Sequence, residues 1–445
     1  MDIVASVRAQ QPSAVPTEAS FNTASYVNFS SWVGNRQVAT LGTNSGSTVI
    51  PFQSWRSFKE AFAPELVEQA FRESGKVTAV VDPFGGSGTT ALAAQFLGAT
   101  PTTIEVNPFL ADLIEAKIAH YDFEALVTGY ADVRSAARGT DANLNDFVAT
   151  APVTFIEPGL KDRYLFSKAV AARFFSYRNA IARVSDPAVR RLFNVLLAGL
   201  SVSVSNAVVS GKGRRYRRNW KDRPIDAAFV DEYFERLVLE AMGDIRRYGA
   251  RRVREYSLLR GDARELVADL PPQDLAIFSP PYPNSFDYTD VYNIELWMGG
   301  YLKSSSDNRN LREKTLRSHV QILRSMAHRA PDSPSMKEAL ERLEEVKSTL
   351  WNKNIPAMIG AYFDDMAKVL RGVRSSLRDG GRVYMVVGDS RYARIDVPVA
   401  KILTEQAAAL GYEVVRSEPF RSMRASPQQG GQSELPETLV VFRAA

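Results

Sequence analysis

Val77-Thr-Ala-Val-Val81-Asp82-Pro83-Phe84-Gly85-Gly86-Ser87-Gly88-Thr89-Thr90-Ala91-Leu-Ala-Ala-Gln-Phe-Leu97 decides the fold. Val77 to Val81 is a β-type run, Ala91 to Leu97 is helical, and a glycine-rich turn joins them. Strand, glycine turn, helix is the layout of a nucleotide-type site at the carboxyl edge of a parallel sheet. The glycines permit a tight turn and close approach of backbone to a ligand. No Lys follows them, so the turn is not a phosphate-binding P-loop.

Upstream, Pro64 suits the first turn of a helix that carries Leu66, Val67, Ala70 and Phe71 inward, with Phe58 and Phe62 just before it. Downstream, Thr102 to Glu105 reads as the next strand, ending in an acid, and Asn107-Pro108 starts a helix through Lys117. Glu105 lies about 20 residues past the glycines, where a carboxylate can take both hydroxyls of a ribose. The competing reading for it is a carboxylate at a helix start.

The strand–helix alternation resumes at Glu255 to Leu259, followed by Gly261-Asp262-Ala263. Asp262 is placed to meet an adenine amine at the sheet edge or to cap the next helix. Leu275 to Phe278 is a further strand, and Ser279-Pro280-Pro281-Tyr282 ends it. Asn284, Phe286, Asp287 and Tyr288 extend that loop, and Glu295-Leu296-Trp297 starts a helix. From Tyr362 to Leu377 apolar residues keep helical spacing, and Asp379-Gly380-Gly381 stops it. Val383 to Val387 is a central strand and Val399 to Leu410 a helix. Glu413 to Val415 and Leu439 to Phe442 are the last strands, around a polar loop at 421–436. Together these predict an α/β doubly wound Rossmann-like sheet with a C-terminal antiparallel hairpin.

Two largely helical insertions interrupt it. The chain divides into an arm (1–50), a first catalytic part (51–117), an insertion (118–252), a second part (253–302), an insertion (303–355) and a last part (356–445). The first insertion reads as helices over Phe166–Val184, Val189–Val209 and Ala227–Tyr248. Between the last two lies a loop from Ser210 to Arg223 with seven basic residues, interleaved with Tyr216 and Trp220. Lys212, Arg214, Arg215, Arg217 and Arg218 can neutralise phosphates, and Tyr216 can stack on an unpaired base. A plain solvated face competes with that reading. The second insertion, with Arg317-Ser318-His319 inside, reads as an outer helical hairpin.

Composition narrows the chemistry. The 445 residues are 45% hydrophobic and 24% charged, with a net charge of +5 and a pI of about 9.2. There is no cysteine, which removes disulfides, Cys-ligated zinc, iron–sulfur clusters and any thiol nucleophile. His120, His319 and His328 show no metal-ligand spacing, so no metal is expected. No signal peptide is indicated, and the apolar stretch Leu192–Val209 is broken by polar residues. A cytoplasmic protein, with no membrane partner, is the expectation.

The proline corner at 279–282 is rich in acceptors, because its prolines remove donors and keep their carbonyls. Ser279 Oγ and the Pro280 carbonyl can accept both N–H bonds of an exocyclic amine, and the Tyr282 ring can stack on a flat base. A proline turn with one buried tyrosine is the bland alternative.

Asp82-Pro-Phe-Gly-Gly-Ser-Gly-Thr-Thr90 followed by Ser279-Pro-Pro-Tyr282 resembles the paired signature of the S-adenosylmethionine-dependent DNA amino-methyltransferases. That family modifies N4 of cytosine or N6 of adenine. The resemblance covers about 51–117, 253–302 and 356–445. It implies S-adenosyl-L-methionine as cofactor, with Asp82, Pro83, Phe84, Gly85, Gly86, Ser87, Gly88 and Thr89 at its methionine part. Phe62 would close over that end, Glu105 and Asn107 would lie at the ribose, and Asp262 and Ala263 at the adenine. Ser279, Pro280, Pro281 and Tyr282 would be the catalytic corner acting on a base flipped out of double-stranded DNA. Ser in the first position is commoner among the N4-cytosine members. Methylation at cytosine C5 needs a cysteine nucleophile, which this chain lacks. N6-adenine, an RNA base, a protein amide, or a non-catalytic DNA-binding subunit on the same fold are the alternatives. A restriction nuclease or other defence protein is a candidate partner.

Overall fold

The computed structural model describes residues 27–43, 49–56, 58, 61–138, 142–210, 213–222, 225–253, 255–329, 332–424 and 434–445. Its centre is a seven-stranded sheet. In chain order the strands are β1 (Ala79–Asp82), β2 (Thr100–Glu105), β3 (Ser257–Arg260), β4 (Gln273–Phe278), β5 (Leu377–Gly388), β6 (Tyr412–Arg424) and β7 (Glu434–Ala444). They lie side by side as β6-β7-β5-β4-β1-β2-β3. The strands β3, β2, β1, β4 and β5 are parallel, and β7 runs antiparallel between β5 and β6.

The order reverses between β1 and β4, which makes that seam the switch point where ligands bind in open α/β sheets. Val81 stands opposite Ala276, so the glycine turn and the Ser279 corner leave neighbouring strands side by side. Strand alternation divides the core into two layers. Val80, Leu275, Ile277, Tyr384 and Val386 face one, and Val81, Ala276, Phe278, Val383 and Met385 face the other. Helices Pro64–Ser74, Thr89–Leu97 and Pro108–Ile118 cover the first face; Ile355–Ser376 and Val399–Ala409 cover the second.

The first insertion packs onto the first face. Its helices Phe123–Ala137, Lys168–Ile181, Pro187–Leu200 and Ala228–Tyr248 meet around Phe174, Phe193 and Phe234, all fully buried and continuous with the sheet's own core. The stretch Val189–Val209 is not one helix. The helix ends at Leu200, and Ala207–Ser210 pairs antiparallel with Gly213–Tyr216. Ser201 Oγ donates to the Ala198 carbonyl (2.6 Å), Ser205 Oγ to that of Val202 (2.9 Å), and Asn206 Nδ2 to that of Tyr164 (3.1 Å). These bonds offer the backbone partners outside a helix, and the basic stretch becomes a short hairpin.

Two more expectations are corrected. The tail strands are far longer than the apolar runs suggested, and Arg421 stands on a paired strand, opposite Glu437, rather than in a loop. The second insertion is not an outer hairpin. Between helices Ser305–Glu313 and Pro334–Glu345 the chain crosses the sheet edge, held by Arg317 Nη2 on Asp365 Oδ1 (2.6 Å) and Arg324 Nη2 on the Leu316 carbonyl (2.7 Å). Asp365 is fully buried, so this pair fixes the crossing. In the arm, Trp32 stacks on Phe96 at 4.6 Å and 8°. Among the described residues no helix is long and apolar enough to cross a membrane.

Candidate active site

The glycine turn is built by its own backbone. Gly85 N–H donates to the Ile104 carbonyl (3.0 Å) and Gly88 N–H to that of Gly85 (2.8 Å). Gly86 and Gly88 hold φ of +53° and +80°, a region that other residues enter at a cost. At Gly85 the reason is space: a Cβ there would lie 2.4 Å from Thr103 Cγ2 and 2.7 Å from Ile114 Cδ1.

Two buried carboxylates flank the turn. Asp82 Oδ1 accepts from Phe84 N–H (2.9 Å). Glu105 accepts from Gly86 N–H (2.8 Å) and Asn107 N–H (2.7 Å), which fixes both its oxygens and leaves further lone pairs. Burial pushes each carboxyl up to about 7, and the proximity of Asp82 adds to the rise at Glu105. Neither has an ion-pair partner among the described residues. Asn107 caps the helix Pro108–Ile118, accepting from Phe109 N–H (3.0 Å) and Leu110 N–H (3.3 Å). Asp262 caps Ala263–Leu266 and holds the Arg264 guanidinium at 2.9 and 3.0 Å. The helix-cap reading is thus present in its geometry, and Asp262 also lines the cavity between the two strands.

On the neighbouring strand, Ser279 Oγ donates to the Val386 carbonyl (2.9 Å) and lies 3.3 Å from the Tyr282 hydroxyl. The Tyr282 hydroxyl donates to Glu437 Oε1 (2.9 Å), and Arg421 grips both oxygens of Glu437. The hydroxyl proton of Ser279 is therefore engaged with a carbonyl, and its lone pairs are left to accept. Burial, then the Glu437 charge, hold the Tyr282 phenol well above its ordinary pKa, so it stays protonated.

One cavity of about 390 Å³ joins the two halves. The expected cofactor residues all line it except Gly88, whose place is at the helix start against Ile114. Ser279, Pro280, Pro281 and Tyr282 line it as well. Phe58 stacks on Tyr292 (5.8 Å, 11°) over the turn. Sequence reasoning missed the wall formed by Lys314, Thr315, Leu316, Ser318 and His319, together with Arg421 and Glu437. For Glu437 there was a signal: it sits immediately before a continuous β-type run, Thr438 to Phe442, that could have been extended backward as strand. The wall had none.

The basic hairpin stands outside this cavity. Arg214 pairs with Asp290 (2.9 Å), and Arg217 donates to the Ser205 and Val202 carbonyls at 3.3 and 3.1 Å. Arg215 and Arg218 are exposed, while Tyr216 packs on Trp220 at 5.1 Å. Lys212 lies outside the described residues.

The cavity suits S-adenosyl-L-methionine on chemical grounds. Two buried carboxyls without a cation, backbone held open by glycine, and a neighbouring acceptor corner match an ammonium, a sulfonium and ribose hydroxyls. Among the described residues no group of side chains could hold a metal ion.

No family model matches the chain. It is 25% identical over 451 residues to the type II methyltransferase M.AvaI of Nostoc sp., covering 92% of this chain and 89% of that one. It is 23% identical over 451 residues to the type II methyltransferase M.BsoBI of Geobacillus stearothermophilus, covering 89% and 84%. A shorter match of 90 residues, 31% identical, reaches the type II methyltransferase M.MjaII of Methanocaldococcus jannaschii, covering 20% and 17%. The chain is thus similar over nearly its full length to type II methyltransferases, and its paired motifs, met at one sheet edge, resemble those of the S-adenosylmethionine-dependent amino-methyltransferases.

Proposed function

We propose that the protein transfers a methyl group from S-adenosyl-L-methionine to the exocyclic N4 amine of cytosine in double-stranded DNA, acting on a flipped-out base. The observation that carries this reading is the Ser279 hydroxyl: it donates to the Val386 carbonyl and so presents acceptor lone pairs beside the glycine turn. The full-length likeness to type II methyltransferases supports DNA as the substrate. Ser279 in the first motif position favours cytosine over adenine.

The cofactor supplies a methyl group already activated by its positive sulfur. Alignment then does most of the catalysis. A base amine is a poor nucleophile because its lone pair is delocalised into the ring. Ser279 Oγ and the Pro280 carbonyl, by accepting its two N–H bonds, favour a pyramidal nitrogen whose lone pair points at the methyl carbon. As N–C bond formation breaks the C–S bond, the nitrogen becomes cationic and one proton must leave. That proton passes to water, because the Ser279 proton is held by the Val386 carbonyl and the Tyr282 proton by Glu437. Asp82 and Glu105 ionise against the bound cation, and the phenyl rings of Phe58 and Phe62 keep water from the methionine end.

The exposed Arg215 and Arg218 contribute to a backbone-binding surface, and a restriction nuclease is the expected companion of such an activity. The direct experiment uses methyl-labelled cofactor, mixed-sequence duplex DNA and RNA, digestion to nucleosides and mass spectrometry. N4-methylcytosine in DNA supports the reading. N6-methyladenine overturns the choice of base, label in RNA alone overturns the substrate, and no label in either overturns the enzyme.

A further inference from the structure

We propose that His319 reads the target base, donating a hydrogen bond to the ring nitrogen beside the reacting amine: N3 of cytosine. The inference rests on the methyl-transfer reading of the cavity. His319 is 1% exposed and lines the same cavity as Ser279. Its segment is stitched to the loop just past Tyr282. Ser285 N–H donates to the Ser318 carbonyl (3.0 Å), and Gln321 Nε2 donates to the Ser285 carbonyl (2.7 Å).

Among the described residues neither ring nitrogen of His319 makes a well-formed hydrogen bond. Its polar surroundings are Gln321, the Arg312 and Arg324 guanidiniums, and Asp287, whose Oδ1 stands 4.0 Å from Nε2. That carboxylate is already engaged: Oδ1 accepts from Thr289 N–H (3.0 Å), and Oδ2 faces Arg312 Nε (2.8 Å). Burial holds the imidazole neutral, down to about 4. A neutral imidazole offers one N–H and one lone pair, and its partner selects the tautomer. Buried polar atoms left unmet are costly, so their presence in a cavity wall points to a ligand that meets them.

A flipped cytosine held at its amine by Ser279 presents N3 as the adjacent acceptor on the same edge. A side chain that donates there distinguishes cytosine from bases that carry N–H at that position, whereas the Ser279 corner accepts from any exocyclic amine. His319 therefore adds a selection against a ring N–H beside the amine, as in guanine, while N3 of cytosine and N1 of adenine both satisfy it.

The test is a double comparison in single turnover, using a duplex in which the target cytosine is natural or 3-deazacytosine. Wild type is expected to lose about ten- to a hundredfold on the analogue. His319→Ala is expected to be slower on natural DNA by a similar factor and indifferent to the analogue, with cofactor affinity unchanged. His319→Gln, which keeps a donor, restores part of the sensitivity. Should His319→Ala fail to fold, His319→Leu carries the same comparison. If wild type methylates cytosine and a His319 variant keeps the full sensitivity to 3-deazacytosine, the proposal is overturned. If wild type methylates no cytosine, the functional reading fails instead, and the two results are distinct.

Discussion

The cofactor half and the base half of the cavity neutralise their charges in opposite ways. Around the glycine turn, Asp82 and Glu105 are buried with no ion-pair partner among the described residues, and their carboxyls are pushed up to about 7. Around the proline corner, each buried acid already has its arginine: Glu437 with Arg421, and Asp287 with Arg312. The first half is electrostatically incomplete until a cationic ligand arrives. The second is complete in advance and presents a neutral, acceptor-rich face to a neutral base. A site that must take a charged cofactor and an uncharged base at one sheet edge is best served by that division.

The sharpest way to break the comparison is to remove the acceptor. Ser279→Ala should lower the single-turnover rate by about a hundredfold or more, as loss of one preorganised polar contact does in other sites. Cofactor affinity should change less than about threefold, because Ser279 bonds to β5 and not to the turn. Tyr282→Ala should show the same split. Isothermal titration alongside rapid-quench kinetics checks it, and equal losses in both quantities would show that the halves are not separable.

The opposite split is expected at Glu105. Glu105→Gln keeps one acceptor oxygen but turns an amide N–H toward either Gly86 or Asn107, so one of the two backbone donors loses its partner. Cofactor affinity should fall by about tenfold, with the rate at saturating cofactor nearly retained. A rate loss larger than the affinity loss would place Glu105 among the reacting groups.

The pH dependence follows from the same carboxyls. With folded values near 7, raised above the ordinary carboxylate range, the cofactor-free protein binds more protons than its unfolded chain between about pH 4 and 7. Its stability therefore falls as pH rises through that window. A cationic ligand favours the ionised forms, so cofactor affinity should rise by several-fold from pH 6 to pH 8. The thermal shift on adding cofactor should grow over the same interval. A flat profile in wild type would mean that the acids are already ionised, and the contrast between the halves would disappear.

How the two halves read in the sequence follows from how they are built. The cofactor half is one local unit, strand to turn to helix, and Asp82 to Asn107 lie within it; glycine spacing and the following acid were enough to see it. The proline corner is also local. The rest of the base half depends on pairings that no local pattern carries. Glu437 reaches Tyr282 only because β7 inserts antiparallel beside β5, with Glu437 opposite Gly388. Arg421 follows through the β6–β7 register, and much of β6 is solvent-exposed and polar, so only Glu413 to Val415 read as strand and the part from Arg421 as loop. His319 arrives by a crossing that is fixed by Arg317 on a buried aspartate in a distant helix.

The smallest expected effect concerns the basic hairpin, where exposure and pairing separate residues that looked equivalent. Arg217 is spent on backbone carbonyls and Arg214 on Asp290, whereas Arg215 and Arg218 face solvent. A phosphate contact needs a side chain free to reach it, and each one made contributes about 0.9 to the slope of log affinity against log salt. Arg215→Ala with Arg218→Ala should therefore weaken DNA binding by only about threefold to tenfold near physiological salt and reduce that slope by about 1.8. Arg214→Ala should leave the slope nearly unchanged and act instead through the helix that carries Asp290, beside the cavity. Fluorescence anisotropy over a salt series separates the two. A slope change at Arg214 equal to that at Arg215 would mean that DNA opens the Asp290 pair and that the hairpin moves when the duplex docks.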